Sequence, residues 1–249
     1  IATIASQIIS AVLATAKLMR SKEAYRITLK GIGLHRKLLG RMLHIGIPAG
    51  LQSSMYAISN MIIQVAVNLL GTATVAAWSL SGKIDGFYWA CSNAAGIAVM
   101  NFAAQNYGAG RMDRVHDCEK LSLKLFMGVT LLFSALLLGV GRFVLPVFND
   151  DAEVLAKTWQ VMLYMVPLYF TWTYIEIISG VLRGIGDAVV PVIIIGVGVC
   201  LLRVVWIATV YRSHPNMLNV CLAYPISWIV TDVAFFFYYR RVKWLYHIK

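Results

Sequence analysis

"LFMGVTLLFSALLLGVG", residues 125–141, is an uncharged stretch between Lys124 and Arg142 and decides the fold class. A transmembrane helix needs ~20 mainly apolar residues, whereas a strand of a membrane barrel needs only ~9–11. Comparable apolar runs recur along the whole chain, so we predict an all-α, polytopic transmembrane helical bundle with about seven spans. The runs lie near residues 1–20, 44–69, 72–106, 121–145, 153–181, 189–211 and 217–239.

The composition agrees with a membrane protein. Of the 249 residues, 59% are hydrophobic and 13% are charged, and the mean hydropathy is +0.72, whereas soluble proteins carry ~25% charged residues. No nucleophile elbow, P-loop, dinucleotide motif or zinc-ligand spacing occurs, so we predict neither an enzyme nor a metal site. The four cysteines have no CxxC spacing and are interpreted as small buried residues.

Basic residues are concentrated on one side of the predicted membrane. Of the 22 lysines and arginines, 16 lie in alternate connections and the C-terminal tail, and 3 lie in the opposite connections. The positive-inside rule makes the basic side cytoplasmic, so we predict a plasma-membrane protein with a cytoplasmic C-terminus. The net charge of +11 is then explained by topology, and no nucleic-acid partner is expected. The cytoplasmic set is Arg20, Lys22, Arg26, Lys30, Arg36, Lys37, Arg41, Arg111, Arg114, Lys120, Lys124, Arg183, Arg240, Arg241, Lys243 and Lys249, and the opposite set is Arg142, Lys157 and Arg212.

The longest polar connection separates the first run from the rest. Leu34, Leu38, Met42 and Leu43 recur at helical spacing within it, which favours a helix on the cytoplasmic leaflet over a solvated linker. Because Ile1 already lies in an apolar run without the features of a signal peptide, we expect the chain to be the later part of a longer one. The predicted divisions are a span at 1–20, a basic linker at 21–44, a helical bundle at 45–240 and a tail at 241–249.

Ionisable residues inside the apolar runs are candidate functional residues, because burying them against lipid costs ~3 kcal/mol or more. Lys83 and Asp85 are two residues apart in "SLSGKIDGFYW" (79–89), so they point ~200° apart on a helix and cannot pair with each other. Glu176 and Asp232 fall ~10 Å and ~12 Å from the cytoplasmic boundary, close to the level of Asp85. We expect Asp85 to bind a cation or proton and Lys83 to pair with Glu176, or failing that with Asp232; purely structural interhelical pairs are the alternative.

Two polar stripes follow the second and third runs. Each repeats every fourth residue, with Ile97 as the gap in the second stripe, and therefore curls slowly around its helix. The stripes can act as interhelical hydrogen-bonding surfaces, but we favour a water-accessible cavity wall because one of them includes a carboxylate and a tryptophan. The third run is also long enough that we expect it to protrude from the membrane, to tilt strongly, or to bend at Gly86 or Gly96. The stripes are Gln52, Tyr56, Asn60, Gln64 and Asn68, and Asp85, Trp89, Asn93, Asn101 and Gln105.

Several motifs together resemble the second half of a multidrug and toxic compound extrusion (MATE) transporter. They are "GIPAGLQSS" (46–54), "NLLGTATVAAW" (68–78), "QNYGAGRMDRV" (105–115), "LRGIGD" (182–187) and "YPISW" (224–228) before "YYRR" (238–241). The resemblance covers nearly the whole chain, and the motifs occur in the family's order.

The resemblance implies twelve helices in two lobes, with 1–20 as the last helix of the first lobe and the rest as the second. It implies export of cationic or amphipathic compounds by alternating access, in exchange for H⁺ or Na⁺, with no other cofactor. The missing first lobe and the bilayer would be partners. The sequence departs from the family where Gln52 and Tyr56 replace an acid in the second run, and Glu176 lies about one turn from the usual carboxylate. A flippase of lipid-linked saccharides is the alternative, followed by a seven-span receptor.

Overall fold

The computed structural model describes residues 2–22, 26–28, 33 and 35–245, and its regular structure is helical throughout. The remaining positions of the predicted linker and the end of the predicted tail lie outside the described residues. The chain divides into two compact units, 1–44 and 45–249.

The first unit contains helix α1 (Ala2–Arg20), which ends on Lys17 and Arg20. Cations are favourable at this end of a helix, where the macrodipole is negative. Apolar side chains such as Ile8 and Leu13 are exposed, as expected of a helix that faces lipid. The predicted surface helix over 34–43 is not a separate element, because helical structure begins at Arg36 within α2 (Arg36–Asn68) and Leu34 lies outside the described residues.

The second unit is a helical bundle. The helices after α2 are α3 (Thr72–Gly108), α4 (Met112–Val144), α5 (Ala152–Met165), α6 (Tyr169–Gly184), α7 (Val189–Ile195), α8 (Leu202–Trp206) and α9 (Met217–Leu245).

Helix α3 packs against α4, α5 and α6, and its most extensive contact is with α6, which in turn packs against α4 and α9. Short 3₁₀ turns extend α4 (Leu145–Val147) and link α5 to α6 (Val166–Leu168). Two π-helical segments, Gly196–Leu201 and Ile207–Tyr211, flank α8.

Within the described part of the chain, four helical stretches are long and apolar enough to cross a membrane. Helices α2 and α3, of 33 and 37 residues, are also long enough to span a membrane, but they carry the polar stripes that lower their hydropathy. The all-α bundle predicted from the sequence is thus confirmed. The four stretches are Met112–Val147, Ala152–Gly184, Val189–Tyr211 and Met217–Val242.

Helix α3 is the longest helix of the described residues. It is helical without interruption from Thr72 to Gly108 and is ~55 Å long at 1.5 Å per residue, against a hydrocarbon core of ~30 Å. Neither Gly86 nor Gly96 interrupts it. The interruptions lie instead in the stretch Val189–Tyr211, where the π-helical segments occur.

The turn at "LRGIGD" (182–187) joins α6 to α7. Gly186 adopts a φ of 95°, which is the left-handed conformation that glycine tolerates best. Ala188 occupies the N-cap position of α7 without a side-chain hydrogen bond. The Asp187 carboxylate accepts a hydrogen bond from the Tyr238 hydroxyl, so it ties this turn to α9.

Glycines allow α3 and α6 to approach closely. A Cβ atom on Gly180 would lie 2.9 Å from the carbonyl oxygen of Gly96, and one on Gly184 would lie 2.6 Å from that of Met100. Small residues four apart are a common means of close helix packing in membranes. The Gly180–Gly184 face of α6 therefore fixes its distance from α3, and with it the position of the α3 side chains.

We expect Gly184→Ala to destabilise the bundle by about 1–3 kcal/mol, because overpacking forces backbone atoms apart. The methyl group added by Gly184→Ala would contact backbone atoms of α3, whereas the methyl group added by the matched change Gly128→Ala on α4 would have no atom within 4 Å. Thermal unfolding in detergent should show a lower midpoint for Gly184→Ala than for Gly128→Ala. Equal midpoints would contradict the packing role of this face.

Candidate functional site

A cavity of about 470 Å³ lies inside the second unit. This volume is within the ~300–1,000 Å³ that is usual for small-molecule sites. Helices α2, α3, α5, α6, α8 and α9 contribute to its wall, so it is a feature of the bundle and not of one helix pair. The lining residues are Tyr56, Asn60, Gln64, Trp78, Ser81, Gly82, Asp85, Trp89, Val161, Met165, Trp172, Arg203 and Tyr224.

Both predicted polar stripes reach this cavity. Tyr56, Asn60 and Gln64 line it from α2, and Asp85 and Trp89 line it from α3. The other stripe members do not line it. One of them, Asn68, accepts a hydrogen bond of 2.8 Å from Gln64 along α2, so part of a stripe also bonds within its own helix.

Aromatic rings form much of the cavity wall. The ring centroid of Trp89 lies 5.3 Å from that of Trp172 and 6.0 Å from that of Trp228, in edge-to-face geometry. Tyr56 meets Trp172 edge-on at 6.4 Å. The position of Trp172 is further fixed by a hydrogen bond of 3.1 Å, which its Nε1 donates to Ser92 Oγ on α3. A wall of rings held by such contacts offers a rigid apolar surface to a flat or cationic ligand.

Asp85 is the acid of the cavity. Its side chain is buried, and its Oδ1 atom has no hydrogen-bond partner among the described residues. The Tyr169 hydroxyl is close enough to interact electrostatically with the Asp85 carboxyl group, but no hydrogen bond joins them, because that hydroxyl has no partner in the same part of the chain. An ionised carboxylate in such a setting is costly unless a cation or proton joins it.

Arg203 is the base of the cavity, and sequence reasoning missed it. It is 3% exposed and lies in α8, between the two π-helical segments. The signal was available, because an arginine inside an apolar run meets the same criterion that selected Lys83. The cavity lining therefore carries one acid, Asp85, and one base, Arg203.

The other candidate site residues lie away from the cavity. Lys83 is exposed, and it takes part in neither of the two ion pairs of the described residues, His116–Glu119 and Lys157–Glu153. The expected pair between Lys83 and Glu176 or Asp232 is thus not formed here. Glu176 packs against Gly96, where an added Cβ would lie 1.9 Å from its Oε1.

The three acids expected at one level are consequently not brought together around the cavity. Asp232 has a buried Oδ1 atom without a partner in the described residues, but it does not line the cavity, and neither do Gln52 and Asn93. The residues that line it without having been predicted as site residues include Trp78, Ser81 and Tyr224.

Membrane-spanning helices around a buried, partly polar cavity define a multi-pass membrane protein with a cavity of small-molecule size. Solute transporters have this design. A family model described as MatE matches residues 48–209. The chain therefore belongs to the MatE family.

Curated relatives include two proteins of Bacillus subtilis (strain 168). The chain is 23% identical over 210 residues to the probable multidrug resistance protein YoeA and 24% identical over 206 residues to the probable multidrug resistance protein YpnP. These matches cover 84% and 82% of this chain but 45% of each relative. The chain thus spans about half the length of the curated relatives it matches.

Solved structures of MATE transporters have the same fold. A crystal structure of MATE in complex with MaL6 covers 100% of this chain with a TM-score of 0.87 and 15% identity, and the match covers 56% of that chain. A MOP superfamily transporter from Pyrococcus furiosus, described as having a binding pocket of reverse polarity, gives a TM-score of 0.74 at 18% identity. That match covers 82% of this chain and 44% of the other.

Proposed function

We propose that this chain forms the second lobe of a transporter that exports amphipathic small molecules in exchange for H⁺ or Na⁺. The observation that carries the proposal is the aromatic cavity with the unpartnered Asp85 carboxyl oxygen at its wall. Membership of the MatE family and the names of the curated relatives support drug export as the activity.

Asp85 is the proposed site of ion coupling. A proton, Na⁺ or an organic cation would each neutralise the buried carboxylate, and only one of them can do so at a time. Competition of this kind couples the two fluxes, because ion binding from outside displaces the exported compound. Glu176 and Asp232 remain secondary candidates, since they are intramembrane acids outside the cavity.

The cytoplasmic C-terminus is part of the same proposal, and labelling can test it. Single cysteines at Asp150 and Ser213 should react with an impermeant maleimide added to intact cells, whereas one at Arg114 should react only after lysis. All three side chains are exposed, so access depends on sidedness. The expectation rests on the lysine and arginine asymmetry. Reversed reactivity at two of the three positions would overturn the orientation.

Arg203 keeps a flippase of lipid-linked saccharides as the second candidate, because pyrophosphate needs basic partners. One buried base beside one buried acid is weak support for so strongly charged a substrate. Export of smaller amphipathic compounds fits the balanced cavity better.

The test of export uses the full gene that encodes this chain, expressed in a drug-sensitive host. Cells should accumulate less ethidium than cells with an empty vector, and a protonophore or the removal of sodium should abolish the difference. Accumulation equal to that of the empty vector for ethidium and other amphipathic dyes would reject the proposal.

A further inference from the structure

Arg203 is presented by an irregular part of the bundle. The five residues of α8 are flanked by π-helical turns on both sides. Such turns are rare and frequently occur at functional sites, because they redirect side chains from their regular helical positions. Here they bring an arginine from an apolar span to the wall of the cavity.

The guanidinium group is held in place by uncharged groups. Its Cζ lies 4.0 Å from the ring centroid of Tyr224 and 5.8 Å from that of Trp228. Its Nε donates a hydrogen bond to Ser227 Oγ at 3.1 Å, and Ser227 in turn donates to the Tyr224 carbonyl at 2.6 Å. These contacts orient the side chain but supply no negative charge.

No acid neutralises this cation within the described residues. Neither of their two ion pairs includes Arg203, and its Nη atoms make no hydrogen bond there, since its one bond is through Nε. Asp85 lines the same cavity but is not within ion-pair distance. A buried arginine with a free fork of donors matches the geometry of a carboxylate or phosphate.

We propose that Arg203 binds an anionic group, such as a carboxylate, on the transported compound and is therefore the residue that determines whether the cavity accepts aromatic zwitterions beside cations. This inference rests on the proposed export function and names a specificity-determining residue of its site. The positive part of the compound lies towards Asp85, the rings stack on the tryptophan wall, and the carboxylate meets the guanidinium group.

The test compares rhodamine B, which carries a free carboxylate, with its ethyl ester, which lacks that charge. Binding to the purified full-length gene product is measured by fluorescence polarisation. Losing a charge-assisted hydrogen bond changes affinity by roughly 10-fold or more. Arg203→Met should therefore weaken rhodamine B binding about 10-fold more than binding of the ester, and Arg203→Lys, which keeps the charge but not the fork, should give a smaller change.

Other outcomes would contradict the proposed binding of the anionic group by Arg203. An equal loss of affinity for both dyes, or no loss for either, would mean that Arg203 is structural or meets an acid elsewhere in the full chain. If Arg203→Met does not fold, Arg203→Lys alone must still shift the preference towards the ester, and an unchanged preference refutes the inference. Wild-type binding of the ester but not of rhodamine B would overturn the inference while leaving export intact. Binding of neither dye would count against the cavity as a substrate site altogether.

Discussion

Asp85→Asn is expected to abolish the proposed ion-coupled export by the full-length protein while leaving its expression close to normal. Asparagine keeps the volume of the side chain but cannot exchange a proton or hold Na⁺ by charge. Because Asp85 Oδ1 has no hydrogen-bond partner among the described residues, the replacement breaks no bond at that atom. It also removes the cost of a buried charge. The measurement is ethidium efflux from cells under imposed proton and sodium gradients.

Asp150→Asn is the matched control, since Asp150 is an exposed acid in the turn before α5 and lies outside the cavity. It should export as the wild type does. Normal efflux by Asp85→Asn at every pH and sodium concentration tested would show that Asp85 is structural. Loss of expression together with efflux would instead mean that its carboxylate is needed for folding.

The helices were predictable because apolar length is a local property of the sequence. The run at 189–211 coincides with the observed stretch Val189–Tyr211. Helix starts were less predictable: α4 begins at Met112, well before the apolar run at 121, because "MDRVHDCEK" is amphipathic and hydropathy does not mark it. Similarly, α2 begins at Arg36 within the predicted linker.

The candidate site was predictable in part, because residue spacing shows which residues share one face of a helix but not how separate helices face one another. Four-residue spacing identified Tyr56, Asn60 and Trp89, because residues on one helix face share their surroundings. The predicted depth of Glu176 and Asp232 in the membrane did not place them at the cavity. The depth of a residue along its helix does not determine the direction in which its side chain points.

Arg203 shows a further limit of predicting the site from residue spacing. A regular helix predicts where each residue faces, but the π-helical turns around α8 change that register. Sequence spacing alone contains no signal for these turns. The charge of the cavity therefore could not be predicted from the spacing of the ionisable residues in the sequence.

Trp228→Ala is expected to lower the free energy of unfolding by on the order of 3–5 kcal/mol, the usual cost of emptying a large aromatic site. Trp228 is 0% exposed and its ring contacts those of Trp89, Trp172 and Tyr224. Its Nε1 has no hydrogen-bond partner in the described part of the chain, so the loss there is one of packing. Thermal unfolding in detergent should show a much lower midpoint or no folded protein.

Phe237→Ala on the same helix is the control. Phe237 is 66% exposed, and lipid or detergent chains can fill the space left by its ring, because they are as apolar as the side chain they replace. Its midpoint should stay close to that of the wild type. If both variants unfold alike, the aromatic cluster is not what holds α9 in the bundle. If Trp228→Phe has the wild-type midpoint but binds rhodamine B weakly, the larger indole ring is needed to orient Arg203. The guanidinium carbon of Arg203 lies 5.8 Å from the centroid of the Trp228 ring.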